Sequence, residues 1–174
     1  GYWNGLYFDS NNPSNSLAYT TVSYAPDGVT VDGYLSVTDS TFENNSGYGI
    51  EINDGSTIPE FARNELSANG EAPIEVPADL VGSLDSETTY ASDNEHDRIE
   101  LAGGDIETAQ TWSAMDAPYF CGDLSIDAEL TIDPGATLQF QEDTYIDVAD
   151  GDGKLVADAS NSDATITFEG QNES

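Results

Sequence analysis

Leu35 to Ile52 reads LSVTDSTFENNSGYGIEI. Leu35, Ser36 and Val37 alternate apolar and polar, as the residues of a half-buried strand do. Phe42 follows, then the polar corner Glu43-Asn44-Asn45-Ser46-Gly47, then a second short strand, Gly49-Ile50-Glu51-Ile52. Short strands set between Asn, Ser and Gly corners, with an apolar residue at the same place in each, make one turn of a parallel β-solenoid.

Working outward from this stretch, the pattern returns. Leu6, Val29, Ile50, Ile74 and Ile99 each open a short strand and recur every 21–25 residues. Val22, Phe42, Leu66 and Tyr90 form a second column that keeps step with the first, 7–9 residues ahead of the next member. Two columns in step over four turns are an internal repeat with a solenoid period. The segments are too short for a helical repeat and alternate with period two. Three residues past Phe42, Leu66 and Tyr90 stand Asn45, Asn69 and Asp93. Stacked turns would superpose these side chains, so their amides could hydrogen-bond along the stack. Ala25 holds that place after Val22, so the ladder is expected to start one turn late.

Gly103 to Tyr119 reads as irregular, with Trp112 and Met115 packed over a flank. Beyond it, Leu124-Ser125-Ile126, Leu130-Thr131-Ile132, Thr137 to Phe140, Tyr145 to Val148, Lys154 to Ala157 and Thr165 to Phe168 read as strands between tight Gly and Asp turns. Three per coil would continue the stack. The chain is thus expected to be all-β, a right-handed parallel β-helix of roughly seven coils, its hand following from the rule for parallel crossovers. Residues 1–174 read as one domain.

Charge is the extreme feature of the composition. There are 34 Asp and Glu against 3 Lys and Arg, a formal net charge of −31. Such a surface repels nucleic acid and anionic membranes, and no apolar run approaches the length of a membrane span. A solvated acidic exterior screened by salt, as in halophilic or marine proteins, is the simplest reading. Disorder is the competing one, but two Trp, nine Tyr and six Phe, with regular β-branched positions, argue for a core. The single cysteine, Cys121, excludes an internal disulfide and reads as a small apolar packing residue.

The stretches Trp3 to Phe8 (WNGLYF), Leu35 to Ile52, and Leu130 to Gly170 (LTIDPGATLQF through GKLVADASNSDATITFEG) resemble the right-handed parallel β-helix repeats of secreted and surface proteins. The pectate-lyase-like superfamily is the enzymatic branch of that architecture. The resemblance implies a fold more strongly than an activity, because folds of this kind host many functions. Lyases of that family use Arg or Lys to abstract a proton beside a uronate, with calcium held by carboxylates. This chain offers Arg63, Arg98, Lys154 and His96. Arg63 and Arg98 fall in different columns, and an acidic surface repels polyuronates.

Other constellations could carry chemistry. Glycoside hydrolysis needs two carboxylates flanking the bond, but with so many acids the sequence singles out no pair. His96-Asp97-Arg98 reads as a polar corner before a strand. Asp147, Asp150 and Asp152, set among turn glycines, are candidate calcium ligands, since calcium takes six to eight oxygens. A plain turn explains the same residues, because Asp and Gly serve turns. Aromatics crowd the first 48 residues. Tyr7 faces outward by alternation between Leu6 and Phe8, and Tyr34 and Tyr48 sit at corners. These three are candidate rings for stacking on a glycan, with packing against the core or a neighbour as the other reading.

The function expected from these features is a non-catalytic module of the cell exterior, for adhesion or for binding a polysaccharide, surface glycan or matrix. A polysaccharide-active enzyme (glycoside hydrolase or lyase), its accessory domain, or a structural spacer are the alternatives. The abrupt start at Gly1-Tyr2-Trp3 reads as a cut within a longer surface polypeptide. Apolar residues near that start, Tyr2, Trp3, Tyr7 and Phe8, suggest end-to-end self-association that salt would favour.

Overall fold

The short strands anticipated at Leu35 and Ile50 lie in a coil that repeats along the whole molecule. The computed structural model describes residues 3–171; Tyr2 lies outside them. The first coils contain β1 (Leu6–Phe8), β2 (Ser16–Ala18), β3 (Thr21–Ser23), β4 (Val29–Val31), β5 (Ser36–Thr38), β6 (Thr41–Glu43), β7 (Ile50–Ile52), β8 (Phe61–Ala62), β9 (Glu65–Ser67) and β10 (Ile74–Val76). A 3-10 helix, Ala78–Ser83, interrupts the next coil before β11 (Ile99–Leu101). The remaining coils contain β12 (Gly104–Ile106), β13 (Gln110–Trp112), β14 (Tyr119–Cys121), β15 (Leu124–Ile126), β16 (Glu129–Ile132), β17 (Thr137–Phe140), β18 (Ile146–Val148), β19 (Lys154–Ala157) and β20 (Thr167–Gly170).

Every strand pairs in parallel with its counterpart one coil away. One long sheet runs the length of the molecule in the order β1-β4-β7-β10-β11-β14-β17-β20. Two three-stranded sheets, β2-β5-β8 and β3-β6-β9, complete the first coils, and β12-β15-β18 with β13-β16-β19 complete the last. The result is a parallel β-solenoid of about seven turns, roughly 35 Å long at about 4.8 Å per coil.

The anchor column is observed residue for residue: Leu6 pairs with Val29, Val29 with Ile50, Ile50 with Ile74 and Ile74 with Ile99. The second column holds too, Val22 with Phe42 and Phe42 with Leu66, and the bridge between Glu65 and Thr89 puts Tyr90 beside Leu66. All of these point inward; Leu6 packs partly buried against the core and the rest are at most 2% exposed within it. In a parallel coil an inward residue stays inward from turn to turn, and that is why one column decides the register.

The asparagine ladder exists with one member changed. Asn45 Nδ2 donates to Asn69 Oδ1 and Asn69 Nδ2 to Asn94 Oδ1, both at 3.0 Å. Asp93 was the expected third rung, but Asn94 occupies it. The corner residue before each rung sits in the left-handed region: Tyr24, Asn44, Ala68 and Asp93 have φ of 59°, 56°, 54° and 60°. The last coil carries one extra residue between Tyr90 and this corner, so Asp93 becomes the turn and Asn94 the rung. As expected, the ladder starts late: Ala25 contributes its N–H, which donates to Asn45 Oδ1 at 3.1 Å. The amides also need room. A Cβ on Gly28 would lie 2.8 Å from Asn45 Nδ2, and one on Gly49 2.9 Å from Asn69 Nδ2.

A second ladder, absent from the sequence reading, runs at the neighbouring corner. Ser40 N donates to Asn64 Oδ1 at 3.1 Å and Asn64 N to Thr88 Oγ1 at 3.0 Å. Left-handed corners at Tyr19, Asp39 and Arg63 precede Thr20, Ser40 and Asn64. The other correction concerns Gly103 to Tyr119. It is a regular coil built on β12 and β13, and Trp112 is 0% exposed inside it, its ring 5.1 Å from that of Tyr119. Met115 packs partly buried against the same core.

Candidate functional site

The outward residues of the long sheet form a single file down its face. Tyr7, Thr30, Glu51, Glu75, Glu100, Phe120, Gln139 and Glu169 each occupy the middle of a strand and stand in register. Their spacing is the rise of the coil, about 4.8 Å. Alternation puts them outside because the anchors on either side of each must face the core.

Three stacked carboxylates, Glu51, Glu75 and Glu100, occupy the middle of this file. Thr30 Oγ1 donates to Glu51 Oε2 at 3.3 Å. Partial burial, then the charges of Asp27 and Glu75, raise the Glu51 pKa above the usual carboxylate range, the Thr30 hydrogen bond opposing them. Glu100 accepts from Arg98 Nη2 at 3.2 Å. The Arg98 guanidinium lies over Phe120, 3.6 Å from the ring centroid, and this covers Phe120, which is 4% exposed despite its outward position. Arg98 Nε is buried and has no hydrogen-bond partner.

Tyr48 lies beside the carboxylates. Burial, then the neighbouring Glu75 carboxylate, push its phenol well above the ordinary tyrosine range, and Glu100 and Glu71 add to the effect. Tyr7 stands at the head of the file, 62% exposed. Its hydroxyl donates to the Asp32 carboxylate, which also accepts from Asn53 Nδ2 at 2.6 Å. These bonds raise the Tyr7 pKa and lower that of Asp32. Tyr34 lies elsewhere, past the end of β4, bridged to Thr57, with its N–H donating to Ser10 O at 3.0 Å. Of the three candidate rings, then, Tyr7 and Tyr48 border the file, whereas Tyr34 belongs to the corner leading out of it.

Asp147 stands outward on β18, in register with Ser125 and through it with Asp105. With Asp105, Asp123 and Tyr145 it lines a shallow cleft of about 330 Å³. Asp150 and Asp152 follow in the turn after β18. Among the described residues no three His, Cys, Asp or Glu side chains converge as a metal would need. A larger cleft of about 460 Å³ beside the 3-10 helix is lined by Asp54, Asp79, Asp105 and Glu107. Asp79 is engaged there in holding the next coil: it accepts from Glu107 N at 2.9 Å and Thr108 N at 2.8 Å.

The three basic side chains are each paired with an acid. Arg63 binds Asp39 at 2.8 Å, Arg98 binds Glu100 at 3.2 Å and Lys154 binds Glu129 at 3.1 Å. Arg63 and Arg98 sit at different corners. Asp97 closes the asparagine ladder, accepting from Asn94 N at 3.0 Å, so His96-Asp97-Arg98 is a corner. The buried polar residues are Ser, Asn and Thr, with no Asp or Glu among them in the described residues.

Sequence reasoning missed the glutamate file, although the alignment held it: these residues are the ones directly after the anchors Ile50, Ile74 and Ile99. Comparison with protein-family models, with curated proteins and with solved structures gives no match.

Proposed function

We propose that this chain is a non-catalytic module of the cell exterior that binds a glycan or matrix polymer along the outer face of its long sheet. The observation that carries this reading is the outward file, headed by the exposed ring of Tyr7, in which Tyr48 lies beside the stacked carboxylates of Glu51, Glu75 and Glu100. Sugar hydroxyls and amines donate to carboxylates, while tyrosine rings offer an apolar face with a polar tip. The charge favours a neutral or amine-bearing polymer over a uronate. Kinship with the secreted right-handed β-helix proteins and an acidic surface adapted to salt belong to the same reading. A glycan array, followed by titration of Glu75→Gln and Tyr48→Ala, tests it. A neutral or amino-glycan hit weakened by both variants is expected. Silence across the array points to a spacer, and a hit indifferent to both variants places binding off this face.

One observation favours an enzymatic second reading. Glu51 and Glu75 are direct neighbours across adjacent coils, and the coil rise of about 4.8 Å is close to the roughly 5–5.5 Å between the carboxylates of retaining glycosidases. Glu51, with its pKa raised, would be the acid and Glu75 the nucleophile. Release of reducing ends from a polysaccharide panel, abolished in Glu75→Gln, would favour this reading over simple binding.

A further inference from the structure

The corner Glu43-Asn44-Asn45-Ser46-Gly47 contains a motif whose first residue, Asn44, neither the ladder nor the outward file uses. Asn44-Asn45-Ser46 has the Asn-X-Ser pattern that accepts asparagine-linked glycans. Asn12-Pro13-Ser14 has Pro at the forbidden place, and Asn172-Glu173-Ser174 lies outside the described residues. Asn64, Asn69 and Asn94 are buried, and their amides are committed to the ladders.

Asn44 differs from them in every respect that matters. It is exposed, and its carboxamide makes no hydrogen bond among the described residues. Its φ of 56° puts it at the left-handed corner, where the side chain projects from the coil and the inward role passes to Asn45. Substituting Nδ2 therefore disturbs no buried group. The same corner one coil later is Ala68, which is small and exposed, so it leaves room beside Asn44. One coil earlier it is Tyr24, 63% exposed, a ring on which a first sugar can lie. Ser46 N is tied to Ala25 O at 2.9 Å, which keeps the corner closed whether or not a sugar is attached.

We propose that Asn44 is a modification site that carries an asparagine-linked oligosaccharide. The donor is an oligosaccharide on a lipid diphosphate. The bond between sugar C1 and the diphosphate oxygen breaks, C1 bonds to Asn44 Nδ2, Nδ2 loses one proton, and the lipid diphosphate leaves. The inference rests on the cell-exterior reading, because this transfer meets exported chains.

Export of the full chain by a heterologous leader, in a host with an oligosaccharyltransferase, separates the two claims. Glycopeptides cut after Glu43 are sequenced by electron-transfer fragmentation. Sugar on Asn44 in the majority of molecules is expected, lost in both Asn44→Gln and Ser46→Ala and retained in Ser46→Thr. Ser46→Ala loses the 3.4 Å bond from Ser46 Oγ to Ala25 O but keeps the shorter one from Ser46 N, and circular dichroism checks that each variant is folded. An exported, folded chain bare at Asn44, while Asn172 or a co-expressed glycoprotein is modified, overturns the proposal and leaves the exterior reading standing. Fractionation of the native source tests that reading by itself: recovery with the cytoplasm sinks it, whatever the result at Asn44.

Discussion

Replacing Asn69 by Ala removes the middle rung of the asparagine ladder. Asn69 is 2% exposed. Its Oδ1 accepts from Asn45 N at 3.2 Å and Asn45 Nδ2 at 3.0 Å; its Nδ2 donates to Phe42 O at 3.1 Å and Asn94 Oδ1 at 3.0 Å. Asn94 Oδ1 keeps another donor, the Asn69 backbone N–H at 3.0 Å. Asn45 N and Nδ2 keep none of these bonds. Two buried donors without partners, at about 1–3 kcal/mol each, put the cost at about 2–6 kcal/mol. Asn45→Ala is the comparison. It orphans the Ala25 N–H, while Asn69 Oδ1 loses the Asn45 Nδ2 donor and keeps the Asn45 backbone N–H, so about 1–3 kcal/mol is expected. Urea melts at fixed high salt measure both, and the double variant gives their coupling. If Asn69→Ala costs no more than Asn45→Ala, or less than about 1 kcal/mol, the ladder does not hold the stack in the way argued here.

Four further outcomes follow from the same structure. Glu51→Gln should stabilise the fold at neutral pH: a carboxylate whose folded pKa is raised costs stability when both states are ionised. The gain should vanish as pH falls through the folded value to the unfolded one, about 4, and a gain unchanged in acid would count against the burial and charge assigned to this site. Raising KCl from 0.05 to 1 M should lift the melting temperature, since screening shortens from about 14 Å to about 3 Å and each kcal/mol of relieved repulsion is worth about 2–4 °C; a flat or falling profile contradicts a self-repelling surface. Cys121, 0% exposed with its thiol pushed up to about 12 by burial, should resist disulfide reagents at pH 8 until the protein is denatured, and labelling at the rate of a free thiol would show that the coil opens there. Calcium should raise the melting temperature no further than NaCl of equal ionic strength, because Asp147, Asp150 and Asp152 are not among any three carboxylates that converge in the described residues; an excess that the triple Asn variant removes would establish a site there.

The fold was legible where side chains have one task. Ile50, Ile74 and Ile99 must fill the same interior column, so hydrophobic pattern and register are one piece of information. Legibility failed where a coil changed its length. The extra residue before Asp93 moves the rung to Asn94, and counting from Tyr90 cannot reveal it, because Asp and Asn suit both the left-handed corner and the ladder. The coil from Gly103 to Tyr119 was hidden for another reason. Its buried residues, Ile106, Trp112, Ala117 and Tyr119, are separated by polar residues at uneven spacing and show no strand-like alternation. The ladder of Ser40, Asn64 and Thr88 was invisible because three residue types fill one column.

The candidate site was harder to read than the fold because of what the outer face is free to be. An inward position is dictated by its neighbours in the chain, at the same rise and in the same core. An outward position is dictated only by solvent or by a partner, and the partner is not written in the chain. With 34 acids, an outward Glu is the commonest outcome of a salt-screened surface. Glu51, Glu75 and Glu100 stand out only once two facts of three-dimensional structure are combined: they are consecutive along one sheet, and they are not fully solvated, since Tyr48 and Arg98 close over the file from its edge. A surface selected for solubility alone would keep three carboxylates apart and exposed, because stacking like charges raises the energy of the folded state. Holding them together under partial burial opposes stability, and that opposition is the physical ground for proposing the long sheet's outer face, rather than the shallow clefts, as the binding face.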